Sequence, residues 1–371
     1  MSKIPKLFVV MMALALLVQG VSWAADQVEL KTENIIFVMV DGLRWQEVFT
    51  GAEEALLDPR GKLDANDRLR QAYWRPTPEA RREALMPFLW QVIVKEGQLF
   101  GNKDKGSIAQ LTNGLNFSCP CYSELFSGFV DPKINSNAKI PNPNINVLEW
   151  LHNKEAYHGK VAAFAAWDLF PYILNRDRSG LLVNAGYEPL TEVPLTPVLE
   201  SLNRMKNEVI RRWQGEPFDV LTFETAYEYF KVHQPKVFYL SFGETDEWGH
   251  ADRYDLYLEA ALHADNALKI IWETAQSLPQ YKDKTTLIFC CDHGRGNGRI
   301  EWRSHGEDIR GSEDIFLAFM GPDTEALGER TDCDPVSLNR IAATLAALLG
   351  EDYCADVPQA GKAIEDVIGI K

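Results

Sequence analysis

Beyond Ala25 the sequence has no apolar run long enough to cross a membrane, which takes roughly 20 residues. The stretch that comes nearest, Leu7 to Val18, is itself too short. It follows Lys3 and Lys6 and leads into Ser22-Trp23-Ala24, the layout of an export signal cut after small residues. We expect residues 1–24 to be removed and 25–371 to form a single exported domain, periplasmic or extracellular, with no membrane contact after cleavage; an uncleaved anchor is the alternative. The sequence also lacks an excess of basic residues, with 38 Lys and Arg against 53 Asp and Glu and a net charge of −15 that deepens to −17 without Lys3 and Lys6. That balance excludes nucleic acid as an expected partner and requires any anionic substrate to meet a local cationic site. Low-complexity stretches and internal repeats are missing, while 46% hydrophobic and 25% charged residues describe an ordinary folded chain. Cysteine is sparse, and all six lie after the export segment. Cys333 and Cys354 bracket one expected helix and are the best candidate disulfide in an oxidising compartment. Cys119, Cys121, Cys290 and Cys291 read as small buried residues.

What is present is a series of short apolar, β-rich runs: Ile35 to Val40, Val161 to Ala166, Val237 to Phe242, Thr286 to Cys291 and Ile315 to Met320. Continuous apolar runs of this length suit strands buried on both faces. Helical patterns lie between them, at Pro87 to Glu96, Pro197 to Trp213, Tyr254 to Thr274 and Val336 to Leu349, the last with Asp334 as N-cap, Pro335 in the first turn and Gly350 beyond its end. The alternation predicts an α/β fold with a large, mostly parallel central sheet and helices on both faces. In such folds chemistry collects beyond the carboxyl ends of the strands.

The residues there fit that rule. Asp41-Gly42 follows the first run, Asp246 and His250 follow the third, and Asp292-His293-Gly294 follows the fourth. Only seven histidines occur, and His250, His293 and His305 are three of them. Each piece has a plainer reading: a turn for Asp41-Gly42, a surface histidine for His305, a helix cap for Ser118. Asp246 and His250, four apart, can share one side of a helical turn as metal ligands. Together the set supplies three carboxylates and three imidazoles, a nitrogen and oxygen set that suits zinc better than calcium or magnesium. Six ligands exceed what one tetrahedral ion with an open position can use, and they suit two ions.

The order of these pieces resembles the alkaline phosphatase superfamily, and in particular its nucleotide pyrophosphatase/phosphodiesterase-like branch. The matching motifs are Asp41, Ser118 in Ser118-Cys119-Pro120-Cys121-Tyr122 with Gly128 ten residues on, Asp246-Glu247-Trp248-Gly249-His250, Asp292-His293-Gly294, His305 and the closing segment from Asn339 to Gly350. They span nearly the whole chain after the export segment. The resemblance implies a three-layer sandwich and a two-zinc hydrolase of small phosphoric esters, mono- or diesters, with manganese as the alternative ion. It further implies Ser118 as nucleophile, one zinc on Asp41, Asp292, His293 and the Ser118 oxygen, and the other on Asp246, His250 and His305. Asn137, with Asn135 as fallback, is the counterpart of an asparagine that holds a phosphoryl oxygen. As the N-cap of a helix, Ser118 would have the Cys119 amide and the helix dipole aimed at the group it attacks.

Sulfatases and phosphonate hydrolases of the same fold are rival readings, and a metal-binding relic without turnover is another. A sulfatase needs Arg where Tyr122 stands and an Asp pair where Asp41-Gly42 stands; a relic would be missing ligands. Arg176 and Arg178 are candidates for the extra phosphoryl contacts of a monoesterase, although a solvated loop is the slightly favoured reading. Trp167, Phe170 and Tyr172 are candidates for the aromatic slot of a nucleotide diesterase, although packing is the commoner role of such residues.

Overall fold

The computed structural model describes residues 30–58 and 67–369; the expected export segment and its expected cut lie outside these. Among the described residues no helix is long and apolar enough to cross a membrane. The central sheet is built from β1 (Asn34–Val40), β2 (Gln98–Phe100), β4 (Val161–Ala165), β5 (Leu182–Ala185), β6 (Val237–Phe242), β7 (Thr285–Cys291), β8 (Leu317–Met320) and β9 (Gly328–Glu329). A separate two-stranded ribbon joins β3 (Ala109–Gln110) to β10 (Val336–Ser337). The order across the large sheet is β5-β4-β6-β1-β7-β8-β2-β9. From β5 to β7 every pair is parallel, whereas β8 runs antiparallel to both β7 and β2. Helices cover the faces, as expected of strands such as Asn-Ile-Ile-Phe-Val-Met-Val whose every residue is buried.

Register decides where chemistry can gather. Val40 pairs with Phe242 of β6 on one side and with Cys291 of β7 on the other, so the three central strands end flush. The next residues, Asp41, Gly243 and Asp292, therefore leave the sheet in one row. The 24-residue helix Tyr254–Ser277 lies over this part of the fold and buries Tyr257, Leu258, Ala261, Leu268 and Ile271. Their spacing of three, four and seven residues is one helical face.

Several local expectations change. The helix expected over Val336 to Leu349 begins only at Ile341 and ends at Leu348, after a 3-10 turn at Leu338–Arg340. The Val336 amide instead donates to the Ile108 carbonyl at 2.9 Å, so tertiary pairing takes the residues that a helix start would have used. The Pro197 helix stops at Glu208 rather than Trp213. In place of a regular helix from Pro87, Leu89–Ile93 is π-helical, and its first amides are satisfied from afar: Phe88 and Leu89 donate to the buried Asp265 carboxylate at 2.7 and 2.8 Å. Helix Asp219–His233, with mixed burial around its circumference, and the short strands β2, β5 and β9 have too little pattern to be read in advance.

The expected Cys333–Cys354 bridge is also corrected, because all six thiols are free. Cys333 Sγ donates to Ser107 Oγ at 3.4 Å, while Cys354 Sγ turns toward the Gly361 carbonyl at 3.8 Å. The eight-residue helix Ile341–Leu348 lies in the chain between them, a rod of about 12 Å. Bridged cysteines need Cα atoms about 4.4 to 6.8 Å apart.

Candidate metal centre and nucleophile

Asp41 leaves β1 in a turn that needs its glycine. Gly42 has φ of +62°, and a Cβ there would lie 2.6 Å from Asp246 Oδ1. Its amide donates to Asp292 Oδ1 at 3.0 Å, and the His293 amide donates to the same oxygen at 2.8 Å. Backbone and register together bring Asp41, Asp292 and His293, all buried, into one cluster whose ligand atoms lie within 4.8 Å of one another. His293 Nε2 is 3.4 Å from Asp41 Oδ1 and 3.5 Å from Asp292 Oδ2. Its Nδ1 is held at 2.9 Å by the Gly294 carbonyl, which turns Nε2 into the cluster, as in metal sites whose outer partner sets the ring.

Two features of this cluster ask for a cation. Asp41 Oδ1 and Asp292 Oδ2 are buried and have no hydrogen-bond partner among the described residues. An unsatisfied buried oxygen of this kind costs about 1–3 kcal/mol, more when charged. Burial, and then the neighbouring Asp41 charge, push the Asp292 carboxyl well above the usual range. Burial opposes a charge on His293, yet the Asp292 and Asp41 carboxylates outweigh it and raise the imidazole to about 9. The donor set and its orphaned oxygens fit a divalent ion such as zinc.

The second cluster follows β6. The short helix Glu244–His250 puts Asp246 and His250 on one side, with His250 Nε2 3.2 Å from Asp246 Oδ2. His305 joins from a distant loop, its Nε2 3.1 Å from His250 Nε2 and 3.6 Å from Asp246 Oδ1. Its ring stacks on His293 with centroids 3.9 Å apart, so the two clusters share a wall. Nδ1 of His305 meets the Asn116 carbonyl at 3.1 Å, in the loop that leads into helix Ser118–Ser127. Burial and then the neighbouring His293 charge lower the His305 imidazole to about 3, which leaves it neutral and able to bind a cation.

Ser118 opens helix Ser118–Ser127. The expected cap position belongs to Phe117, in extended backbone at φ −142° and ψ 162°, and Ser118 is the first helical residue. Its hydroxyl is thereby free of capping and stands 3.3 Å from His293 Nε2. The Cys119 amide, expected to point at the substrate, instead donates to Asn137 Oδ1 at 3.1 Å. Asn137 is thus seated beside the serine, and among the described residues its side-chain NH2 has no partner. Asn135 is directed elsewhere, its Nδ2 donating to the Pro132 carbonyl at 3.4 Å. Burial pushes the Cys119 thiol up to about 11, so it stays neutral near neutral pH.

Three residues that hold the ligands in place were given no such role by the sequence. Arg295, fully buried, donates from Nη1 to Asp246 Oδ1, from Nε to the Trp302 carbonyl at 2.9 Å and from Nη2 to the Arg303 carbonyl. This guanidinium holds the Asp246 carboxyl well below the usual range in spite of its burial. Gly249 makes room, since a Cβ there would sit 2.8 Å from Arg295 Cζ. The one available signal was a basic residue directly after Asp292-His293-Gly294. Tyr122 donates to Asp41 Oδ2 at 2.9 Å, and Thr245 donates to the Asp41 carbonyl. By contrast, Arg176 pairs with Glu188 at 2.7 Å, and Arg178 pairs with Glu149 at 2.6 Å while donating to the carbonyls of Asn142, Pro143 and Asn144. Phe170 is packing, edge-on to Tyr122 at 4.7 Å.

No family model matches the sequence, and no curated protein matches it. Solved structures do. The wild-type alkaline phosphatase PafA superposes with a TM-score of 0.57 at 10% identity over 91% of this chain and 99% of its own. An alkaline phosphatase superfamily protein from Vibrio parahaemolyticus gives 0.52 at 14% identity, covering 90% and 70% of the two chains. The chain has the alkaline phosphatase superfamily fold. The lipoteichoic acid synthase LtaP from Listeria monocytogenes (0.56, 13% identity, 87% and 73%) and a 2-O GAG sulfatase (0.53, 13%, 91% and 74%) share it. Within this fold, chemistry differs from one protein to the next and is set by the residues of the site.

Proposed function

We propose that this chain is an exported, metal-dependent hydrolase of phosphoric esters in which the Ser118 oxygen attacks phosphorus, the ester oxygen leaves as the alcohol, and water then releases the phosphoryl group from the serine. The observation that carries this reading is the meeting of two ligand triads through the stacked His293 and His305 rings, with the Ser118 hydroxyl 3.3 Å from His293 Nε2 of the first triad. Asp41, Asp292 and His293 would hold one zinc ion and Asp246, His250 and His305 a second, with manganese as the substitute. When bound, such ions supply positive charge to the phosphoryl oxygens and favour ionisation of the serine and of water. The chain's own residues do the rest. Tyr122 and Thr245 orient Asp41 through its carboxylate and its carbonyl. Asn137 presents its NH2 to a phosphoryl oxygen from its anchor on the Cys119 amide. The positive end of a ten-residue helix faces the negative charge that grows there.

A sulfatase is disfavoured at Tyr122, which stands where that chemistry needs Arg and whose hydroxyl is bound to Asp41. Because Arg176 and Arg178 are held in ion pairs, the fixed cations that favour a monoester's second charge are engaged elsewhere, which favours a diester. The test compares kcat/KM of the zinc-loaded protein on p-nitrophenyl phosphate and bis(p-nitrophenyl) phosphate before and after Ser118→Ala, with metal content measured on both proteins. Ser118→Ala is expected to lower turnover by at least ~10³-fold with metal content nearly unchanged. Turnover retained in the variant would remove Ser118 from the mechanism, and zinc bound with no turnover by the parent protein would favour a relic.

A further inference from the structure

Behind the short helix Glu244–His250, a cavity of about 530 Å³ opens between helices Asp219–His233 and Tyr254–Ser277. Phe218, Phe223, Phe242, Trp248, Ala264 and Ile270 are among its walls, which are mostly apolar. On the short helix, Glu244 and Trp248 line this cavity, while Asp246 and His250 belong to the second metal cluster. An offset of two residues is about 200° of turn, so cavity and cluster lie back to back on one helix. The cavity shares no residue with the two triads or with Ser118.

The formal charge in these walls is of one sign. Asp219, Glu244 and Glu259 line the cavity, and among the described residues no lysine or arginine does. His263, the other titratable group of the lining, is exposed to solvent. Asp219 is only 8% exposed and accepts from the Gly243 and Glu244 amides at 2.9 and 3.1 Å. Glu244 accepts from the Asp219 amide at 3.3 Å and from the Trp248 side chain. Every one of these donors is neutral. The two carboxylates close two helix starts on each other, and each start supplies only about half an elementary charge, so about one negative charge of the pair is unmet. Burial, and then the Glu244 charge, push the Asp219 carboxyl well above the usual range, as expected of a pair short of positive charge. Glu259 has the Arg68 guanidinium at 3.1 Å, but that side chain is 89% exposed and its pairing is weakened by solvent.

These two properties select the guest. A sugar or other polar molecule would lose water against apolar walls with few partners to replace it. An anion would meet the carboxylates, and a neutral hydrocarbon would desolvate them without compensation. A cation with an apolar body satisfies both: the body covers the rings, and the charge lies beside Asp219 and Glu244 or against an aromatic face. Pockets for single small molecules run from ~300 to 1,000 Å³, a range that includes this one.

We propose that this cavity is a second ligand site and that it takes one small apolar organic cation of arylalkyl-ammonium size. The site is independent of the ester-hydrolase reading.

Saturation-transfer NMR on the full chain, with zinc present, measures binding of benzyltrimethylammonium, with benzyl alcohol as the neutral probe and phenylacetate as the anion. Ile270→Lys and Val220→Lys each put a cation at the cavity, on side chains 40% and 59% exposed, so the core is left as it is. They also leave the acidic triads unchanged, which separates binding here from binding there. Thermal melting of each variant is the folding control. Expected are ammonium binding about tenfold or more tighter than that of either other probe, a loss of about tenfold in both variants, and melting temperatures close to the parent. Benzyl alcohol or phenylacetate binding as tightly as the ammonium, no ammonium binding by the parent, or equal affinity in parent and folded variants would each overturn the site. Sedimentation tests the rival occupant: a parent dimer that Ile270→Lys dissociates would assign the cavity to a second copy of the chain and overturn the proposal as well.

Discussion

Replacing Arg295 by methionine removes a fully buried guanidinium that neutralises Asp246 and satisfies the Trp302 and Arg303 carbonyls. Removing one partner of a buried ion pair costs about 3–5 kcal/mol, because the remaining charge is left in a poor solvent. In a chain of this size each kcal/mol shifts the melting temperature by roughly 2 °C, so the variant should melt about 6–10 °C lower in the presence of a chelator. Metal changes the sign of the argument. Arg295 and a cation compete for the same Asp246 carboxylate, and the methionine variant presents the second cluster with one positive charge fewer. Zinc should therefore bind that cluster more tightly in the variant; because the parent is stabilised by zinc as well, the gap closes by the difference alone, about 1.4 kcal/mol for each tenfold of tighter binding. Scanning calorimetry across a zinc titration should show the gap between variant and parent narrowing as zinc rises, by roughly a third for a tenfold gain in affinity. A gap that stays constant, or widens, would mean that Asp246 does not share a cation site with His250 and His305.

Three other expectations follow from the same geometry. Because His293 is raised from its ordinary 6.5 to about 9, its proton contributes stability to the metal-free protein that is complete below pH 6.5 and lost as pH rises through about 9. A cation must displace that proton, so zinc affinity, measured against a chromophoric chelator, should rise about tenfold per pH unit from 7 toward 9 and then level; a flat profile would remove His293 from the ligand set. Gly42→Ala places a Cβ 2.6 Å from Asp246 Oδ1 at a φ of +62°, and both strain and clash should lower zinc stoichiometry and cost about 1–3 kcal/mol in urea unfolding; a variant with full metal content would show that the turn tolerates side chains. With every cysteine free, the unfolded protein should titrate six thiols without reductant; four would indicate one disulfide, with Cys333 and Cys354 the pair to map first.

Much of the scaffold was readable because burial on both faces leaves a simple trace. Ile35 to Val40, Val237 to Phe242 and Thr286 to Cys291 are apolar without interruption, and β1, β6 and β7 cover them almost residue for residue. The same trace gives no direction, and Ile315 to Met320 looks no different in sequence although β8 runs antiparallel. Weak patterns failed for a related reason. Val336 and Ser337 have good helix-start signals upstream, yet a two-residue partner at Ala109–Gln110 outcompetes them.

The sequence by itself determined which ligand types exist and the order in which the chain reaches the carboxyl edge: Asp41, Ser118, Asp246 with His250, Asp292 with His293, then His305. Order along the chain survives folding, so it could be read in advance. Tertiary structure alone decided the distances, because they depend on register: flush strand ends bring Asp41 and Asp292 together. It also decided that Arg295 already holds one oxygen of Asp246, that Phe117 rather than Ser118 occupies the cap, and that Asn137 rather than Asn135 meets the Cys119 amide. None of these contacts has a periodicity or a spacing, since each is made between groups that only packing brings within reach.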